Sequence, residues 1–464
     1  HRPLATAGLT AGRMDTIGIT LADVRPILPE LALFASFGLA AGAVDDIAAD
    51  LAWLWHYPRI RRLQAMLSRR FLHDPARPLR YAVLVPAWRE AGVIGAMIDA
   101  SRISYAGSDA TLFVGCYPND PATIAEVRVR TGPKVRLVVG SEEGPTTKAQ
   151  CLNQLWRTVV EEVAAGVTFD AVIIHDAEDL PDCNETRLFD IALADHAAAQ
   201  LPVIPVRHPD SVWLSGHYCD EFAESHGKSL PMRHFLGASV PFAGVGCALR
   251  TEAVAALAQI NGGSPFEPGS LTEDYEAGLR LSGQGLRPVF IPLVKDGDGR
   301  WIGTRAHFPE TFAGAVRQKA RWINGIAIFG WDRLGWGTSM AEAWMRWRDR
   351  RAPFDALFIA AAYGSLAVWL MLMLAHALPP PLPEGALAML LALNGAAMGW
   401  RLIVRFAFTG SVHGCREALV SVPRAAVGNV VAVAAFVWAA IDYERMRRKG
   451  RLHWSKTEHR YIGT

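Results

Sequence analysis

Cysteine is scarce: six occur in 464 residues, at 116, 151, 183, 219, 247 and 415, and no two form a CxxC pair. That scatter argues against a zinc site or a disulfide framework and suits a reducing compartment. An excess of charge is also missing. The 47 Lys and Arg against 45 Asp and Glu leave a net charge of +2. A nucleic-acid-binding chain needs a basic footprint, and none is present. No cleavable signal peptide is expected, because the first apolar run begins only near Leu31 and lacks a basic lead-in and cleavage site. Internal repeats are absent too.

Apolar residues are plentiful, at 51% of the chain. The mean hydropathy of +0.15 is high for a soluble enzyme and points to membrane segments. Leu31–Trp55 is mostly apolar but carries Asp45, Asp46 and Asp50. Either a span ends near these acids, or the acids face protein. Arg59, Arg61, Arg62, Arg69 and Arg70 follow, which places the next segment in the cytoplasm. Phe354–Leu378 reads as a span preceded by Arg346, Arg348, Arg350 and Arg351. Ala386–Phe408 returns after the Pro-rich hairpin 379–383. Ala425–Ile441 has basic flanks at both ends and reads as an interfacial or re-entrant helix.

Between these runs the texture is α/β. Tyr81–Val85, Thr111–Tyr117, Val135–Val139 and Ala171–Ile174 are short β-branched runs, the mark of buried parallel strands. Further strands are expected at Val203–Val206 and Val289–Val294. Lys148–Ala164 has helical period, with Leu152, Leu155, Trp156, Val159 and Val163 on its buried face. In such a sheet the active crevice lies at the carboxyl ends of the strands.

Polar residues cluster where that crevice should be. Pro86, Trp88 and Glu90 end the first strand, and Asp120 follows the second. Lys148 opens a helix, where dipole and ammonium can act together on a diphosphate. Asp176, Glu178 and Asp179 follow a buried apolar strand, which is costly unless they are solvated or bind a cation. Their hard oxygens favour Mg²⁺ or Mn²⁺. Glu273 and Asp274 open a helix, and Asp274 is the candidate general base. Gln318, Arg321 and Trp322 share one helical face at spacing i, i+3, i+4. They offer an amide for sugar hydroxyls, a guanidinium for a diphosphate and an indole for a sugar ring. That helix is expected to start at Pro309 and to be amphipathic enough for a membrane surface.

In this order the motifs resemble the membrane-embedded family 2 glycosyltransferases, the group of cellulose and related synthases. The matching stretches are Pro86–Trp88, Lys148–Asn153, Asp176–Asp179, Thr272–Asp274 and Gln318–Trp322. Finer matches at 117–123, 220–224, 243–246, 308–312 and 454–459 resemble the phage adsorption protein B (NfrB-type) subgroup. The resemblance implies a Rossmann-like α/β GT-A catalytic domain joined to an α-helical membrane region with interfacial helices. The expected layout is an N-terminal segment 1–28, a span 29–56 and a GT-A domain 78–300. Amphipathic interfacial helices at 305–350, spans 354–378 and 385–408, interfacial or re-entrant helices 411–450 and a tail 451–464 complete it.

By the same resemblance Asp274, with Glu273 beside it, is catalytic. Pro86, Trp88, Glu90, Asp120, Lys148, Asp176 and Arg321 serve the donor. Gln318, Trp322, Gly244 and Gly246 face the acceptor, and Asp176 with Glu178 or Asp179 holds Mg²⁺ or Mn²⁺. The expected partners are a UDP-sugar donor, a saccharide or lipid-linked acceptor, the lipid bilayer and an outer-membrane export partner. No nucleic acid is expected. The chain departs from cellulose synthases in lacking their Phe-x-Val-Thr-x-Lys loop. Three readings stand at this point: an inverting polysaccharide-building enzyme of a bacterial inner membrane, a single-sugar transferase to a lipid carrier, and a catalytically idle membrane receptor or scaffold.

Overall fold

The computed structural model describes residues 27–73, 77–374 and 384–449. The expected hairpin 379–383, tail 451–464 and most of segment 1–28 lie outside these residues. The helices are α1 (Ile27–His73), α2 (Ile94–Ser104), α3 (Pro121–Arg128), α4 (Lys148–Ala164), α5 (Glu185–Ala192), α6 (Leu214–Glu224), α7 (Leu230–Phe235) and α8 (Thr251–Ile260). They continue as α9 (Glu273–Gly283), α10 (Phe312–Trp322), α11 (Gly330–Leu334), α12 (Met340–Arg350), α13 (Ala352–Leu374), α14 (Gly385–His413) and α15 (Cys415–Lys449). Short π-helical stretches follow α6 and α10, at Ser225–Ser229 and Ile323–Phe329.

Four strands form a parallel block: β1 (Arg80–Pro86), β2 (Asp109–Cys116), β3 (Val135–Val139) and β4 (Ala171–Ile174). The β-branched residues of β1, β2 and β4 are buried, whereas the edge strand β3 leaves Val139 exposed. The sheet continues through β7 (Cys247–Arg250), β5 (Ala198–Gln200) and β8 (Val289–Phe290), in the order β3-β2-β1-β4-β7-β5-β8. β7 runs antiparallel to both neighbours. The sheet is therefore mixed.

One expected strand is present with a partner of its own, and two expectations need correction. Val203–Val206 is a strand, β6, but pairs with β11 (Thr304–His307) outside the main sheet. The run 289–294 splits into β8 and β9 (Val294–Lys295), which pairs with β10 (Trp301–Ile302). Val163 lies on the last turn of α4 and is 41% exposed, whereas Leu152, Leu155, Trp156 and Val159 are buried. α4 itself spans Lys148–Ala164 as expected. Thr147 and Gln150 close a reciprocal capping box at its start.

Four helices are long and apolar enough to cross a membrane: α1, α13, α14 and α15. The acids of α1 face protein. Asp46 pairs with Arg348 (3.0 Å) and Arg351 (2.6 Å), and Asp45 with the same two arginines. Asp50 meets Lys228 at 2.6 Å and accepts from the Trp400 indole at 2.8 Å. Within the segment 411–450, residues 411–413 close α14, and Cys415–Lys449 is one continuous helix, α15, with Pro423 inside it. Its Ala435 and Ala439 pack on Ala320 and Ile323, so α15 runs beside α10 and the π-helical stretch after it.

Candidate active site

The carboxyl end of the parallel block opens into one cavity of about 600 Å³. Pro86, the last residue of β1, and Trp88 and Glu90, in the loop after it, border the cavity. Asp120 does not. Its carboxylate accepts the Arg89 N–H (2.6 Å) and the Thr123 N–H (3.4 Å). Arg89 has φ +57°, a strained value for a residue with a Cβ. Asp120 thus braces this loop and caps α3.

Lys148 is the first residue of α4 and is 9% exposed. Its Nζ donates to the Gly244 carbonyl (3.0 Å) and pairs with Asp176 Oδ1 (2.6 Å). Gly244 has φ +81°, and a Cβ there would fall 2.5 Å from Asp274 Oδ2. Only glycine lets the Asp274 carboxylate and the Lys148 ammonium approach this backbone together. Gly246 also has positive φ, but it packs against the Thr304 side chain and does not border the cavity.

The three acids after β4 divide. Asp176 and Glu178 are partly exposed at the cavity. Asp179 borders it but is 1% exposed. Its Oδ2 accepts the Asp176 N–H at 2.8 Å and lies 3.2 Å from His175 Nδ1. His175 Nε2 lies 3.0 Å from Glu185 Oε1, and Tyr105 donates to that same oxygen at 2.6 Å. Asp179 is therefore held by protein partners at the back of the loop. Burial and the charges of Asp176 and Asp179 push the Glu178 carboxyl well up.

Burial alone would lower the pKa of His175, yet Glu185 and Asp179 raise it to about 10. The sign follows from linkage. The pair stabilises the fold fully below the ordinary histidine pKa, and the contribution is lost as pH rises through about 10. His175→Ala leaves two buried carboxylates without their cation, at a cost of about 3–5 kcal/mol. The expected readout is a thermal midpoint several degrees lower in detergent at pH 7. An unchanged midpoint would show that the imidazole carries no such load.

Asp274 is the second residue of α9, and its Oδ1 accepts the Tyr275 N–H at 2.8 Å. Burial raises the Asp274 carboxyl above its ordinary value, against the pull of Lys148 and Arg321. Glu273 is 5% exposed, and burial with the Asp274 charge pushes it to about 7.

α10 starts at Phe312 with Thr311 as its cap, accepting the Gly314 N–H at 3.2 Å. Pro309 therefore precedes the cap rather than opening the helix. Gln318, Arg321 and Trp322 all border the cavity. Gln318 Oε1 and Arg321 Nε are buried and make no hydrogen bond among the described residues. Arg321 donates only to the Leu271 carbonyl, at 3.4 Å. Trp322 stands edge-on to Tyr218, with centroids 6.2 Å apart, and Phe222 and Phe308 continue the aromatic wall.

The sequence did not announce Phe222, Phe308, Arg233, Tyr275 or Asp349, which also border the cavity. A faint signal existed in the Arg-rich run before α13, which reads as membrane-flanking charge alone. The cavity reaches Arg348, Arg351 and Asp355, at the first turn of a helix long enough to span.

Comparison with known proteins accounts for this arrangement. The family model Glycosyltransferase like family 2 matches residues 78–325, more than half of the chain. Bacteriophage adsorption protein B of Escherichia coli K12 is 35% identical over 452 residues, covering 90% of this chain. Bacteriophage N4 adsorption protein B of Escherichia coli O157:H7 matches equally. The chain spans 60% of the length of these relatives. Among solved structures, a mannosyltransferase from Pyrobaculum calidifontis in complex with GDP-Man and Mn²⁺ is 20% identical. It covers 83% of this chain and 99% of its own, with a TM-score of 0.45, too distant to transfer any site. A GT-A-type α/β sheet, a cavity at its carboxyl edge and a family match across both make this chain a member of the family 2 glycosyltransferases.

Proposed function

We propose that the chain is a metal-dependent, inverting glycosyltransferase of a bacterial inner membrane, with its catalytic domain in the cytoplasm. It moves a sugar from a UDP-sugar to a saccharide acceptor, toward an exported or surface polysaccharide. The observation that carries this reading is the meeting of Asp274, Lys148 and Arg321 in one cavity. Three separate elements bring a base and two cations together there.

Asp274 takes the proton from an acceptor hydroxyl as that oxygen attacks the anomeric carbon. The bond to the diphosphate breaks on the opposite face, so the anomeric centre inverts. Lys148 and Arg321 offset the charge that develops on the leaving diphosphate. Trp322, with Phe222 and Phe308, supplies an apolar face for an acceptor ring.

Asp176 and Glu178 fit a divalent cation. Their oxygens are hard donors, and a cation would relieve the crowding of charge that raises the Glu178 carboxyl. The described residues offer no cluster of three ligating side chains, so diphosphate oxygens and water would complete the shell. When bound, the cation would neutralise the diphosphate.

A saccharide acceptor is favoured over a lipid phosphate by the charges at the membrane end of the cavity. Arg233 pairs with Asp349, Arg348 with Asp45 and Asp46, and Arg351 with Asp45, Asp46 and Asp355. A lipid phosphate would have to displace a carboxylate from each.

The test is release of UDP by purified protein from UDP-N-acetylglucosamine, UDP-glucose and further nucleotide sugars with Mg²⁺ or Mn²⁺. Turnover of at least one donor is expected, abolished by chelation and restored by the metal. Product run on a gel should form a ladder, whereas a single lipid-linked band would favour the carrier reading. Failure with every donor would leave only the idle-receptor reading.

A further inference from the structure

We propose that Tyr275, Asp349 and Arg233 form a positioning chain that sets the Asp274 carboxylate and fastens it to the helix before the membrane span. The inference rests on Asp274 being the base. Its starting point is the Tyr275 N–H, which donates to Asp274 Oδ1 at 2.8 Å. The other oxygen, Oδ2, lies against Gly244. The carboxylate is therefore aimed by two contacts, and one belongs to the backbone of Tyr275.

The Tyr275 side chain is 5% exposed, and its hydroxyl donates to Asp349 Oδ2 at 2.8 Å. Asp349 in turn accepts twice from Arg233, at 2.8 Å to each oxygen. Both bonds come from the one Nη1, so Arg233 holds Asp349 by a charge-assisted contact centred between its two oxygens. Arg233 is 4% exposed and also donates to the Ser239 carbonyl. The chain thus joins α9, α12 and α7. The next residue, Glu276, is held from the other side: it accepts from Ser270 at 2.5 Å and from Arg333 Nε of α11 at 2.8 Å. The first turn of α9 is pinned on two flanks, and the base sits between them.

Asp349 has neighbours that make the link longer. Arg348 and Arg351 hold Asp45 and Asp46 of α1. Arg350 donates to the Gly335 carbonyl at 2.6 Å. Four consecutive residues thus reach the base helix, the first membrane helix and the segment after α11. None of the three chain members needs to touch the reacting atoms, so they are positioning residues.

Tyr275→Phe removes one hydroxyl and keeps the ring in its packing. A displacement of about 1 Å at a reacting group can cost about 10²-fold. The expected result is a kcat lower by about 10- to 100-fold, with the donor KM within about twofold of the parent. UDP release from the UDP-sugar turned over fastest provides the assay. Asp349→Ala should lose at least as much. The double variant should lose no more than Asp349→Ala alone, since both act through one contact. Asp349→Asn keeps an acceptor for Tyr275 and should recover part of the loss. A packing role alone would lower the thermal midpoint and leave kcat per folded molecule unchanged. Parental kcat in Tyr275→Phe, from an enzyme that turns over donor, overturns the chain and spares the functional reading. Absence of turnover in the parent, or full activity in Asp274→Asn, removes the base and this inference with it.

Discussion

Asp274→Asn is expected to lower turnover by about 10²- to 10⁴-fold, the range that a positioned general base contributes. The amide keeps the shape and the Tyr275 N–H contact, so nucleotide binding should persist. Isothermal titration with UDP checks binding, and UDP release checks turnover. The pH profile of the parent carries the same information. The base works only when ionised, and burial holds its pKa above the ordinary carboxylate value. Activity should therefore fall as pH drops through that raised pKa. The acid limb should stand above the ordinary value of about 3.9. Parental turnover in Asp274→Asn would move the base elsewhere in the cavity, with Glu273 the adjacent carboxylate.

Arg321→Ala has the second-largest expected effect, a fall in kcat of about 10²- to 10³-fold. The reason is the state of its charge. The membrane-end arginines Arg233, Arg348 and Arg351 are each paired with carboxylates. Arg321 has only a weak bond to the Leu271 carbonyl, and its Nε has no hydrogen bond among the described residues. Arg321 feels the charges of Asp274 and Glu273 but makes no direct ion pair among the described residues, so its half-buried guanidinium is ready for an anion that arrives with substrate. Arg321→Lys should recover little, because an ammonium lacks the planar fork that grips two phosphate oxygens. Single-turnover rates under saturating donor would separate this from weaker donor binding. Unchanged kcat with a raised KM would make Arg321 a binding group only.

Much of the catalytic half was legible because local and global signals agree there. β1 to β4 are β-branched runs bounded by turns, and α4 has both a capping box and a 3.6-residue period. β5 and β7 read Ala-Ala-Gln and Cys-Ala-Leu-Arg, which carry little strand propensity. Their place comes from the partners they find in the sheet. Asp120 misled because an acid after a strand can serve a ligand or cap a helix, and spacing does not distinguish the two. Asp179 misled for a related reason. Its partner His175 is held in turn by Glu185, and Glu185 and the Tyr105 that donates to it come from separate elements. The link from Arg233 to Asp349 crosses 116 residues, beyond the reach of any local pattern.

α15 shows a different limit. Counted along the sequence, its basic flanks balance, which argues against a crossing. Arg424, however, is fully buried and bound to Asp220 (3.1 Å) and Glu417 (2.9 Å). A charge neutralised inside the protein has no place in a count of loop charges. The sequence shows the arginine but not its partners.

The ion pairs between α1 and the end of α12 have a consequence in time. The bond from Arg348 to Asp45 joins residues 303 positions apart. At about 5–20 residues per second, synthesis separates the two by about 15–60 s. An aspartate without a partner costs about 2.5–3.5 kcal/mol at the middle of a bilayer. The apolar first half of α1 can therefore enter the membrane as soon as it emerges, while Asp45 and Asp46 must wait in water for their arginines. α1 can enter early, but it is locked to the end of α12 only when the ribosome has passed Arg351.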